Sequence, residues 1–177
     1  MAWIGTSPLL GMVNLTDVDP TPGTVNGRFP GATFGVEIDG FDPSLGGGRF
    51  VFLKGVSSLA VGDVVTYNGV TGATTRWAGT ANTGSPVAVA ISTPSSTQGG
   101  WFQISGNALV NVGGTVAAGD SAYFNATATV KSAAVAGKQV LGVVAGTANG
   151  ATVGNVVASS TQAVYSLGRP FVQGAIT

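Results

Sequence analysis

Short apolar, β-branched runs separated by glycine, asparagine and proline set the pattern of this chain. Val51-Phe52-Leu53, Val64-Val65-Thr66-Tyr67, Val87-Ala88-Val89-Ala90-Ile91, Trp101-Phe102-Gln103-Ile104, Val140-Leu141-Gly142-Val143-Val144 and Val153-Gly154-Asn155-Val156-Val157 each have the length and composition of a strand. Around them stand Asn68-Gly69, Gly99-Gly100, Gly113-Gly114 and Asn149-Gly150, where glycine or asparagine accepts the positive φ of a tight turn. The 29 glycines and 8 prolines leave no room for a long helix, because both residues are costly in helix interiors. The pattern predicts an all-β fold, a single compact β-barrel or sandwich over residues 33–165.

Both ends break this pattern. Pro8, Pro20, Pro22 and Pro30 interrupt any hydrogen-bond ladder in residues 1–32, which are expected to form an extended arm. Residues 166–177 are irregular but apolar and are expected to form a short tail. Such ends either wrap their own barrel or cover a neighbouring molecule. For the second alternative the candidate partner-binding residues are Trp3, Ile4, Leu9 and Leu10 in the arm and Pro170, Phe171 and Val172 in the tail. Trp3 stands out, because an indole near an unstructured terminus has no evident pocket of its own.

An internal echo links Ala60-Val61-Gly62-Asp63-Val64-Val65-Thr66-Tyr67-Asn68 to Ala117-Ala118-Gly119-Asp120-Ser121-Ala122-Tyr123-Phe124-Asn125. Each copy is followed by an apolar strand, Pro86-Val87-Ala88-Val89-Ala90-Ile91 and Gln139-Val140-Leu141-Gly142-Val143-Val144. Glycine permits the turn and the carboxylate caps nearby backbone N–H groups, so the two copies predict two related halves of one barrel.

Charge changes the picture most. Seven basic and seven acidic residues in 177 make 8% of the chain, against about 25% in typical soluble domains. A net charge of zero favours association over mutual repulsion. Arg28, Arg49, Lys54, Arg76, Lys131, Lys138 and Arg169 are scattered, which argues against nucleic acid as a partner. The apolar runs fall well short of the roughly 18 residues of a spanning helix, the strands are too short for a membrane barrel, and Met1–Pro8 lacks the features of a secretion signal. No membrane partner is expected.

Without histidine there is no Ser-His-Asp triad, Cys-His pair or histidine-ligated metal, and without cysteine no disulfide or thiolate site. Gly46-Gly47-Gly48-Arg49 lacks the spacing of a phosphate-binding loop and is expected to be a loop or bulge. Asp17, Asp19, Glu37, Asp39 and Asp42 are the one acidic concentration. Paired carboxylates can hydrolyse glycosides or hold calcium, but Glu37 and Asp39 are expected on one face of a solvated strand edge, opposite Val36 and Ile38. Asn14-Leu15-Thr16 and Asn125-Ala126-Thr127 match the glycosylation pattern without a secretion signal. Trp101, beside Phe102, is expected in the core. The expectation is a non-enzymatic protein with no catalytic residue, no cofactor, no metal and no small-molecule substrate.

Ala60-Val61-Gly62-Asp63-Val64-Val65, Val87-Ala88-Val89-Ala90-Ile91, Trp101-Phe102-Gln103-Ile104-Ser105-Gly106, Val116-Ala117-Ala118-Gly119-Asp120 and Val140-Leu141-Gly142-Val143-Val144 form a pattern that resembles the bacteriophage capsid decoration, or cement, proteins. It runs from Leu59 to Val157, and its motifs are compositional. The resemblance implies a β-barrel on the outside of a virion capsid, made in the host cytoplasm. It also implies a homotrimer that clamps subunits of the major capsid protein. A phage tail, fibre or receptor-binding component is the alternative expectation; a carbohydrate-active enzyme using the acidic residues ranks last.

Overall fold

A computed structural model describes residues 4–7, 11–24, 26–30, 32–76, 80–124, 129–131 and 133–175. Among them are 15 strands: β1 Ile4–Ser7, β2 Gly11–Asn14, β3 Val18–Asp19, β4 Glu37–Asp42, β5 Gly46–Lys54, β6 Val64–Tyr67, β7 Thr74–Arg76, β8 Val87–Ala90, β9 Gly99–Asn111, β10 Ser121–Phe124, β11 Val130–Lys131, β12 Gln139–Ala145, β13 Thr152–Val153, β14 Val156–Val157 and β15 Gln162–Val172. The fold is all-β, as its apolar runs predict. A 13-stranded sheet follows the order β11-β10-β12-β15-β9-β5-β4-β1-β2, with β3 and β8 also pairing with β9, and β6 and β7 continuing from β8. The sheet curls strongly enough to enclose its own cores.

The Gly-Asp echo is structural. In the first copy Gly62 N–H donates to Ala90 O at 2.8 Å and Ala90 N–H returns to Asp63 O at 2.9 Å. In the second, Gly119 N–H donates to Ala145 O at 2.7 Å and Ala145 N–H to Asp120 O at 3.0 Å. Each carboxylate caps its own turn, Asp63 Oδ2 accepting from Ala60 N at 3.0 Å and Asp120 Oδ2 from Ala117 N at 2.9 Å. Both glycines have positive φ, +88° and +89°, which their position in the turn requires. The correspondence extends further: Gly55 N–H bonds Gln98 O and Val112 N–H bonds Thr161 O, both at 2.8 Å. Gln98 and Gln162 then cap Ser95 N and Ser159 N through their side-chain oxygens.

Two curled units result, and β9 belongs to both. In the first, β5, β6, β8 and β9 surround Val51, Leu53, Leu59, Val65, Ala88, Ala90, Phe102 and Ile104. In the second, β9, β10, β12 and β15 surround Ala108, Val110, Val116, Ala122, Phe124, Val140, Ala145, Tyr165 and Leu167. The registers match, since Val51 lies opposite Phe102 as Ala108 lies opposite Tyr165. The units interlock: Val64, Val87 and Val89 point away from the first core and into the second. β8 is therefore buried on both faces, alanines toward one core and valines toward the other. Ser121 and Val144 match Val64 and Val89 but face water, so the series ends with the second unit.

A third core covers the reverse face of β5 and β9, where Leu15, Phe29, Ala32 and Ile38 meet Phe50, Phe52 and Trp101. Phe29 lies edge-on to Phe52 and Trp101 with ring centroids 5.8 Å apart in each case. The described residues of the expected extended arm thus join the fold. Its β1–β2 hairpin adds to β4, and β3 pairs with Gly99 and Gly100. Leu15, Phe29 and Ala32 are buried within the chain and Val13 packs against the same core, which for these residues is the first of the two alternatives. The tail boundary after Tyr165 also shifts, because β15 runs unbroken from Gln162 to Val172 between β9 and β12.

Other differences have local causes. Gly99-Gly100 is no turn but the start of β9; a Cβ on Gly99 would lie 2.4 Å from Phe52 Cζ, so glycine is there for close packing. Val153–Val157 is a hairpin rather than one strand, turning at Gly154-Asn155 with Gly154 at φ +57°. Gly46–Arg49 is strand rather than loop, and it ends at a register shift against β9 between Arg49 and Phe50, in keeping with the bulge alternative.

Tyr165 is fully buried, and its hydroxyl has no partner among the described residues; the matching residue in the first unit is Phe102. Burial, and then the Asp120 charge, push its phenol up to about 12 from 10.0. Stability is therefore insensitive to this phenol below pH 10.0 and falls as pH rises from there through about 12, where the unfolded chain ionises more readily than the folded one. Tyr165→Phe should match or exceed the wild type by about 1 kcal/mol near neutrality and flatten the alkaline loss, measured by urea unfolding across pH. Asp63 also bonds Arg76 Nε at 2.9 Å and Asn111 Nδ2 at 3.0 Å, so Asp63→Ala should cost ~2–3 kcal/mol and Asp120→Ala only ~1 kcal/mol.

Candidate partner-binding surface

Alternation along β15 decides which of the tail candidates can touch a partner. Val172 is fully buried in the second core, and Pro170 lines the interior with Val64, Tyr165 and Leu167. Neither offers a contact surface, which corrects the expectation for both. Phe171 points outward, 43% exposed, opposite Leu141 on β12 and bridged to Pro86. Ile4 lies on β1 between Asn14 and Phe41. Trp3, Leu9 and Leu10 lie outside the described residues.

Sequence reasoning missed the surface beside Phe171. Glu37 and Asp39 on β4, Arg49 on β5 and Arg169 on β15 form a row of ion pairs across the outer face of the sheet. Arg169 Nη1 donates to Glu37 Oε1 at 3.0 Å and Arg49 Nε to Asp39 Oδ1 at 2.9 Å. Arg49 Nη1 also approaches Glu37 Oε2 at 3.9 Å, so Glu37 joins the two arginines. Hydrogen bonding to Asp39, and then its charge, hold the Arg49 guanidinium above its ordinary range; Glu37 does the same for Arg169. Gly40, Gly47 and Gly48 with Ser105 complete a shallow depression of about 420 Å³ between these side chains.

Aromatic side chains flank the row. Phe41, 52% exposed, lies two residues beyond Asp39 on the same face of β4, and Phe171 lies two residues beyond Arg169 on β15. Glu37 and Asp39 share a face, as their spacing predicts; among the described residues β1 pairs with β4 at Gly40 and Phe41, whereas Glu37–Asp39 pairs with β5 alone. Arg169 has φ +52°, a conformation normally left to glycine, at a register shift between β12 and β15. Only pairing between distant strands brings these charges together, so their local sequence gives no sign of the row.

The other members of the acidic concentration hold loops. Asp17 pairs with Arg28. Asp19 is fully buried and accepts from Thr21 N at 2.9 Å, Arg28 N at 3.0 Å and Phe29 N at 3.2 Å. Asp42 accepts from Ser44 N at 2.8 Å and Leu45 N at 3.0 Å. Among the described residues, no group of three or more acidic side chains gathers as a metal site would require. The gap inside the second unit is about 10 Å³, no more than one water fills, so that unit is a packed core rather than a ligand cup.

No protein-family model, curated protein or solved structure matches this chain.

Arg169→Gly should leave stability unchanged or slightly higher, because relief of ~1 kcal/mol of backbone strain offsets an exposed ion pair worth at most about as much. Glu37→Gln removes the pairing without that relief and should lower the urea midpoint slightly, less so at high salt.

Proposed function

We propose that this chain is a non-enzymatic structural protein of a phage virion that binds the outside of the capsid shell and bridges major capsid protein subunits, as a homotrimer. The observation that carries the reading is the outer face of β4, β5 and β15, where Phe41 and Phe171 flank arginines already neutralised by Glu37 and Asp39. Interfaces are enriched in aromatic residues and arginine, and internal pairing removes much of the electrostatic cost of covering such a face. The scarcity of charge elsewhere supports the same reading, as does the resemblance between Leu59 and Val157.

The mechanism is mass action. A protein that binds the assembled shell and not its free subunits stabilises the shell, and many equivalent contacts over a lattice add their effects. The interlocked units would supply a stiff spacer between contacts. No substrate, cofactor, membrane or nucleic acid enters this mechanism.

Binding of the purified full chain to empty phage heads, followed by sedimentation, tests the proposal together with a copy count per virion. Saturable binding of trimers and hundreds of copies are expected. Phe41→Asp combined with Phe171→Asp should reduce head binding at least tenfold while leaving the unfolding free energy in urea within ~0.5 kcal/mol of wild type. A strict monomer that ignores heads would overturn the proposal, and a handful of copies per virion would move the protein to the tail.

A further inference from the structure

Three Asn-Gly pairs occur in the chain, Asn26-Gly27, Asn68-Gly69 and Asn149-Gly150, and the structure treats them differently. Asn68 Oδ1 accepts from Val70 N at 2.9 Å and Thr71 N at 3.1 Å. Asn149 is held harder: Oδ1 accepts from Val116 N at 3.1 Å, and Nδ2 donates to Ser160 O at 2.7 Å. The following Gly150 N–H is also engaged, donating to Gln162 O at 3.0 Å. Asn26 is exposed in the loop after β3, and among the described residues its side chain has no hydrogen-bond partner. Gly27 N–H makes only a local turn contact to Thr24 O, at 3.2 Å.

We propose that Asn26 is a modification site, where the folded protein deamidates spontaneously and ahead of the other two pairs. Gly27 N, after losing its proton to base, attacks Asn26 Cγ. The new C–N bond closes a succinimide, the Cγ–Nδ2 bond breaks, and Nδ2 leaves as ammonia after taking up a proton. Water then opens the ring at either carbonyl, giving aspartate or isoaspartate at position 26. Glycine favours the attack because no side chain shields its nitrogen. The bonds on Asn68 and Asn149 oppose it, since each must break first, at about fivefold in rate per bond.

The product has a structural consequence. Isoaspartate inserts an extra methylene into the main chain beside Gly27, which has no slack: a Cβ there would lie 2.8 Å from Asp19 Oδ2 and 2.9 Å from Thr21 O. Displacing Gly27 strains the Asp19 bonds to Arg28 N and Phe29 N, and Phe29 is 2% exposed in the third core. Deamidation also adds a negative charge to a chain whose formal net charge is zero.

Peptide mapping of the full chain aged in mildly alkaline buffer tests the proposal, with a parallel sample held unfolded in urea. In the folded sample position 26 should convert at least about fivefold faster than positions 68 and 149. In urea the three should converge within a few-fold. The aged isoaspartate fraction should unfold at a lower temperature than fresh protein, and Asn26→Gln should remove that ageing loss. Equal rates at position 68 or 149 in the folded protein would overturn the proposal. So would an undiminished lead of position 26 in urea, because local sequence rather than the fold would then set the difference.

Discussion

A strand as long as β9, buried at most of its positions, has no polar face to give to water and must be covered on both sides. β5 and β8 take its two edges over the first half, and β15 pairs along the second half. Phe102 and Ile104 enter the first core, Ala108 and Val110 enter the second, and Trp101 fills the third. Every core of the molecule therefore depends on the register of one strand. Its glycines serve that role: Gly99 and Gly100 admit Phe52 and Pro94, while Gly106, at φ +89°, turns the strand from one unit to the next.

Sparse charge is the second constraint, and it gives the few carboxylates structural work. Asp19, Asp42 and Asp63 are buried, and each accepts backbone N–H bonds that hold a turn in place. Such bonds matter more for the penalty incurred on losing them than for their net strength. The exposed acids Glu37 and Asp39 pair with arginines from other strands instead. What remains on that face is electrically balanced, with Phe41 and Phe171 exposed beside the paired charges.

Much of the strand content was legible because β-branched runs between glycine-rich turns have few other stable arrangements. The repeat was legible too, since Gly-Asp marks a turn needing positive φ and a capping carboxylate at once. Proline misled at the N-terminus: it interrupts ladders, but residues 13–32 are held instead by Asp19 and by burial of Leu15 and Phe29. The five residues Val153–Val157 looked like one strand, although Gly154-Asn155 can turn a hairpin as readily as it can sit in a ladder.

By itself, then, the sequence determined an all-β chain, the two related Gly-Asp units and the shortage of charge that any function must accommodate. Only the tertiary structure decided that Pro170 and Val172 face inward while Phe171 faces out, and that Glu37 meets Arg169. The physical reason is that a period of two assigns residues to opposite faces of a strand without saying which face meets water. That choice depends on pairing between strands far apart in the chain, and no local pattern records it.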